Sequence, residues 1–148
     1  MKLSEFIHLR SIFLDVDVDS KKNLFKEVGK SLEKLEKINS ADIVEKLNKR
    51  ERLGSTGVGN GAAIPHAKIN NLKKTEVFFY KLIKPIEFSS PDDLPVDLIF
   101  VIVTPESSQS EHLLMLSSIS SFLKNKKAVL SLRKEKNLGD ILKVFSKY

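Results

Sequence analysis

"VDLIFVIV" (Val96–Val103) sets seven apolar residues around one charge, and five of its eight residues are β-branched. A strand with one wet face would alternate polar and apolar side chains, and this stretch has too few polar positions for that. It is therefore predicted to lie in the middle of a sheet, covered on both faces. Working outward, "TEVFFYKLI" (Thr75–Ile83) has the same β-branched and aromatic character. "IFLDVDV" (Ile12–Val18) alternates apolar and charged residues as a half-buried strand does. Pro85, Pro91, Pro95 and Pro105 punctuate the connections around the two central strands.

Helical spacing fills the intervals. Behind Ser20, a natural N-cap, Leu24, Phe25, Val28, Leu32 and Leu35 fall on one face. A second helix from about Ser40 turns Ile43, Val44 and Leu47 inward and stops near Gly54, suited to a C-terminal cap. A third follows Pro105 in "SSQSEHLLMLSSISSFLKN", with Leu113, Leu116, Ile119 and Leu123 at helical spacing. "AVLSLRKE" reads as a short helix. "NLGDILKVF" reads as a final one, with Leu138, Ile141, Leu142 and Phe145 inward. Helices interleaved with strands predict an α/β layered domain, a single one over residues 1–148, without internal repeats.

Composition narrows the function. The 148 residues are 41% hydrophobic and 30% charged, enough for one real core. No apolar run approaches the roughly 18–20 residues of a membrane span, and Glu5 and His8 stand where a secretory signal would be apolar. With no cysteine, a cytoplasmic location is expected. The net charge of +6 rests mainly on scattered lysines, with only Arg10, Arg50, Arg52 and Arg133 as arginines and no Trp. That pattern argues against a nucleic-acid partner, which clustered arginine and stacking platforms would announce.

The chemistry points to "GSTGVGNGAAIPHAKI" (Gly54–Ile69), which holds four of the six glycines and then a proline and a histidine. Gly57, Gly59 and Ala62 fit a loose G-x-G-x-x-G/A pattern, but that fingerprint needs a strand before it and a helix behind it. Here a helix precedes, and Pro65 bars a long helix from starting. A Walker A loop fails as well, since Asn60 and Gly61 follow Gly59 where Lys and Ser/Thr are required. What remains is a glycine-rich loop entering a short extended stretch, "AAIPH", that delivers His66. Unobstructed amides at Gly57 and Gly59 and the hydroxyls of Ser55 and Thr56 are candidate contacts for a phosphoryl group. Arg50 and Arg52, at the end of the preceding helix, are candidate counter-charges. His112 falls in the first turn of the third helix, where free N–H groups favour an anion. His8 has no such setting and reads as a surface or packing residue. Two histidines at a site without cysteine fall short of a zinc set, so no metal and no cofactor is expected.

These residues carry a resemblance. "RERLGSTGVGNGAAIPHAKI" (50–69), "KPIEF" (84–88), "PVDLIFVIVTPESSQSEHLLMLSSIS" (95–120) and "LGDILKVF" (138–145) resemble the IIA domains of the fructose–mannitol class of the bacterial phosphoenolpyruvate-dependent phosphotransferase system. The likeness is strongest to its nitrogen-regulatory members. Two departures stand out: Ala67 replaces a common Gly, and "SSPDDLPVDL" (89–98) lacks the usual Gly before its proline. The resemblance implies a mannitol-type IIA fold, a mixed sheet flanked by helices. It also implies a phosphoryl carrier in which His66 accepts from the phosphohistidine of HPr or its nitrogen-type paralogue. His112 would orient and stabilise the phosphoryl group, and Arg50 would stabilise its charge. Downstream, the resemblance leaves two roles open: control of regulatory protein partners by a free-standing domain, or delivery to the cysteine of a separate IIB protein in sugar uptake. The absence of any Cys and of any long apolar segment argues against a fused IIB or membrane unit and leans to the regulatory role.

Overall fold

The structure, a computed structural model, describes residues 1–108 and 110–148. Two short 3-10 turns, Leu3–Glu5 and Leu9–Ser11, lead into β1 (Ile12–Val16), α1 (Lys21–Glu36) and α2 (Ser40–Arg52). Then come β2 (Gly57–Gly59), β3 (Ala62–Ala63), β4 (His66–Ile69), β5 (Glu76–Ile86) and β6 (Val96–Pro105). The chain closes with α3 (Glu111–Lys124), α4 (Lys126–Lys134) and α5 (Leu138–Lys147).

The sheet is mixed, in the order β1-β5-β6-β3-β2, with β4 also paired to β6. β6 is central, as its composition requires, and antiparallel to β5 from Glu76↔Val103 to Ile86↔Val96. Its other edge is shared between two parallel partners: β3 pairs at Leu98 and Ile99, and β4 pairs from His66↔Ile102 to Ile69↔Pro105. Strand alternation splits the core in two. Val77, Phe79, Leu98, Phe100 and Ile102 pack with Phe122, Leu132 and Phe145 of the C-terminal helices. Phe78, Tyr80, Ile99, Val101 and Val103 face the other way, against Leu24, Phe25, Val28, Ile43 and Leu47 of α1 and α2.

Several expectations shift in detail. β1 ends at Val16, where the ladder to β5 slips beside Asp15, whose φ is +53°. Pro85 lies inside β5, on a stretch whose ladder to β6 is interrupted between Lys81 and Ile86. Ser20 caps α1 by accepting from the Asn23 amide, as expected. α2 ends on Leu53, and Gly54 donates its amide to the Glu51 carbonyl at 3.1 Å. Leu113 and Leu138 point to solvent, while Phe122 and Val144 take the buried positions. In α3 four apolar residues in a row, 113–116, leave the helical phase ambiguous in sequence. Gln109, inside the stretch leading to α3, lies outside the described residues.

The largest difference is the glycine segment. It is a β-hairpin, with Gly59 opposite Ala62 and a two-residue Asn60–Gly61 turn whose φ angles are +56° and +79°. Both central residues at positive φ match the type I′ turn that Asn-Gly favours. Arg133 of α4 clamps the tip: its Nη2 donates to the Asn60 carbonyl at 2.8 Å and to Asp97 at 3.0 Å.

Candidate functional site

A cavity of about 530 Å³ opens where the end of α2, strand β4, the far end of β6 and the start of α3 converge. Its walls include Arg50, His66, Ile102, Thr104 and His112. Each comes from a different local rule. After β3 the chain leaves the ladder at Ile64 and Pro65 and rejoins it at His66, with the Pro65 carbonyl accepting from the Ile102 amide at 2.9 Å. On β4, Ala67 and Ile69 are buried towards α1 and α2, so alternation sends His66 and Lys68 to the opposite side. Arg50 stands in the last turn of α2, and His112 in the first turn of α3.

The interruption at Ile64–Pro65 sets the state of the imidazole. His66 Nδ1 lies 2.9 Å from the Ile64 carbonyl, which can only accept, so Nδ1 carries the proton and Nε2 keeps its lone pair. Arg50 Nε donates to that Nε2 at 3.3 Å, and Arg50 Nη1 donates to the Gly54 carbonyl at 2.9 Å. Burial pushes the His66 pKa below its ordinary 6.5. The Ile64 carbonyl opposes that shift, and the nearby Arg50 and His112 add to it. A neutral imidazole of one tautomer, with a bare nitrogen beside a guanidinium, is a nucleophile prepared for an anionic electrophile. Among the described residues His112 Nδ1 is buried and finds no hydrogen-bond partner. A desolvated ring nitrogen without a partner is costly unless something arrives to satisfy it.

The cavity thus brings together His66, His112 and Arg50. It does not include Ser55, Thr56, Gly57 or Gly59, whose polar groups are engaged elsewhere. Thr56 is 6% exposed and gives both its amide and its hydroxyl to Glu51, at 2.8 and 2.7 Å. Ser55 Oγ donates to the Phe88 carbonyl at 2.6 Å and accepts from the Gly57 amide. Gly57 is needed for space, since a Cβ there would sit 2.3 Å from Ser90 Oγ. Glu51, absent from the sequence reading, is the hub: its carboxylate, 7% exposed, also takes an ion pair from Lys21 at 2.9 Å. Three further residues missed in sequence, Lys46, Lys49 and Lys68, line the cavity. A signal existed: positions 46, 49, 50 and 53 share one helical face, and 66 and 68 one strand face. Among the described residues no group of three or more His, Cys, Asp or Glu side chains gathers to hold a metal.

Fold, hairpin and paired histidines define an α/β domain of the IIA kind from a phosphotransferase system. Within that class the chain belongs to the family described as "Phosphoenolpyruvate-dependent sugar phosphotransferase system, EIIA 2", which matches residues 5–148. It is 34% identical over 146 residues to a nitrogen regulatory protein of Bradyrhizobium diazoefficiens, covering 99% of this chain and 95% of that one. The crystal structure of the nitrogen regulatory protein IIA-Ntr from Neisseria meningitidis superposes with a TM-score of 0.90 at 37% identity, over 97% of this chain and 98% of that one. The IIA mannitol protein of Escherichia coli shares the fold, with a TM-score of 0.79 at 21% identity over 93% of this chain and 97% of that one. No described helix is long and apolar enough to cross a membrane.

Proposed function

We propose that this chain is a phosphohistidine carrier working as a regulatory IIA protein, with His66 as the residue that is phosphorylated. The fixed tautomer carries the reading: with Nδ1–H held by the Ile64 carbonyl, only Nε2 is free to react. The donor is the phosphohistidine of HPr or a nitrogen-type paralogue. The Nε2 lone pair forms the new P–N bond while the donor's P–N bond breaks, its electron pair returning to the donor imidazole. No proton leaves Nε2, and the proton on Nδ1 stays where it is. Arg50 Nε, which donates to Nε2 in the resting state, then donates to a phosphoryl oxygen, and His112 Nδ1 supplies a second contact. Transfer of this kind depends on positioning and charge neutralisation, which these groups provide. Ser55, Thr56, Gly57 and Gly59 serve it from a distance, by fixing the hairpin from which β4 departs.

The regulatory role draws on the full-length similarity to nitrogen regulatory proteins. The second reading, delivery to a separate IIB protein, draws on the shared fold with a mannitol IIA solved in complex with phosphorylated IIB. The test is intact mass after incubation with phosphoenolpyruvate, Enzyme I and HPr. One acid-labile phosphoryl adduct is expected on the wild type and none on His66→Ala. An adduct that persists on His66→Ala, or no adduct beside demonstrably phosphorylated HPr, refutes the assignment.

A further inference from the structure

The charge of this chain is unevenly distributed. Residues 1–120 carry 17 basic and 17 acidic side chains, while residues 121–148 carry seven lysines and Arg133 against Glu135 and Asp140. The whole net charge of +6 therefore sits on the end of α3 and on α4 and α5. Packing gathers it on one side. Ala128, Val129 and Leu132 of α4 and Ile141, Val144 and Phe145 of α5 are buried in the core on one face of the sheet, so both helices turn their opposite sides outward. With 3.6 residues per turn, Lys126, Lys127, Leu130 and Lys134 fall within about 100° of the circumference of α4, opposite its buried set. On α5, Lys143 and Lys147 stand one turn apart on the exposed side. The two helices meet at Tyr148, whose phenol is held below its ordinary pKa of 10.0 by the Ser131 hydroxyl of α4 and by the charges of Lys147 and Lys127. All seven lysines are exposed, and among the described residues the one ion pair they make is Lys143 with Asp140, at 3.9 Å. In their midst Leu130 is 68% exposed.

We infer that the outer face of α4 and α5 binds an anionic lipid surface, lying on it without crossing it. The kind of charge selects this occupant. Nucleic-acid sites favour arginine forks and stacking rings, whereas Arg133 is occupied with the Asn60 carbonyl and Asp97, and every other cation of the face is a lysine. A folded acidic protein offers carboxylates at fixed points and rewards cations held in one geometry. These lysines are compact charges on flexible stems, and a leaflet of negative headgroups asks only for their density. Leu130, at the centre of the α4 arc, enters the headgroup layer while the lysine stems around it raise their ammonium groups to the phosphates. Among the described residues none from 121–148 lines the cavity of His66. The cavity thus stays open to soluble partners while the domain is held, and the inference stands apart from the carrier reading.

The experiment is co-sedimentation of the full chain with vesicles, either phosphatidylcholine alone or two parts phosphatidylcholine to one of phosphatidylglycerol. The wild type should bind the anionic vesicles, release them as salt rises, and ignore the neutral ones. Each lysine near such a surface contributes about 5-fold, so the combined variant Lys126→Glu, Lys127→Glu, Lys134→Glu should weaken binding by about 100-fold or more. Leu130→Ser should weaken it several-fold. The control is Lys22→Glu, Lys26→Glu, Lys30→Glu, the same change of net charge at exposed positions of α1, which packs on the opposite face of the sheet. That variant should bind as the wild type does, and so should His66→Ala. Circular dichroism should show every variant folded. An equal loss in the α1 control, binding to neutral vesicles as tight as to anionic ones, or no binding at low salt overturns the proposal. A wild type that ignores anionic vesicles but binds polyglutamate or single-stranded RNA overturns it in favour of that partner.

Discussion

The hairpin entry and the cavity, neighbours in sequence, treat their polar groups in opposite ways. From Glu51 to Gly61 donors find partners inside the protein: Thr56 with Glu51, Ser55 with Phe88, and the Asn60 amide with the Asp92 carboxylate at 2.8 Å. In the cavity, among the described residues, His112 Nδ1 is buried without a partner, His66 Nε2 has one long contact, and Lys49 and Lys68 make no ion pair. Polar groups that satisfy one another hold a shape, while those left wanting are available to a ligand. A glycine-rich motif can therefore be the scaffold of a reaction without touching the reacting atoms.

Substitutions can test that division. The largest effect should come from Arg50→Ala, which removes the guanidinium beside Nε2. Phosphoryl transfer to His66 should slow by about 10²–10³, measured by rapid quench against phospho-HPr. His112→Ala should follow, with a loss at the lower end of that range, and an unchanged rate would assign His112 to packing. Thr56→Val belongs to the other region. It removes a hydroxyl bond to a buried carboxylate and should cost about 1.5–3 kcal/mol of folding stability, read by denaturant titration. His66 should still be labelled in the folded fraction, and loss of labelling with stability intact would move the hairpin into the chemistry. The smallest effect is that of pH. The folded pKa of His66 lies below its ordinary 6.5, so the unfolded chain binds its proton first as pH falls. This histidine's contribution therefore lowers stability as pH drops from about 6.5 through the folded value, and leaves it constant above 6.5. The imidazole also stays an acceptor at mildly acidic pH, where an ordinary histidine would be half protonated. NMR titration of the ring would show a midpoint at or above 6.5 if the burial had no effect.

Much of this was legible in the sequence because it obeys short-range rules. The two-sided apolarity of 96–103 placed β6 at the centre, and Pro65 with its flanking residues placed His66 on an extended stretch. Arg50 and His112 were legible from their positions at helix ends. The hairpin was not, although Asn60–Gly61 is a turn signal, because Gly57, Val58 and Gly59 lack the alternating apolar pattern that usually frames one. The lysines of the cavity looked like scattered surface charge, since only packing shows that the α2 face carrying 46, 49 and 50 opens beside the β4 face carrying 68. The burial of Glu51 was equally hidden. Its partners, Lys21 and Thr56, come together only when α1, α2 and the hairpin are assembled.

Arg50 has one further consequence, which concerns heat. Its Nη1 holds the Gly54 carbonyl while its Nε reaches His66, so the end of α2 and the His66 imidazole share one side chain. Beyond the buried Glu51 carboxylate, the last residues of that end are held by two amide bonds of 3.1 Å, Leu53 to Arg50 and Gly54 to Glu51, on residues open to solvent. Helix ends open at far lower free energy than cores do. On warming, the last turn of α2 should fray well before the sheet melts and carry the guanidinium away from Nε2. Carrier activity should then decline below the global melting temperature, in step with amide hydrogen exchange at Leu53 and Gly54.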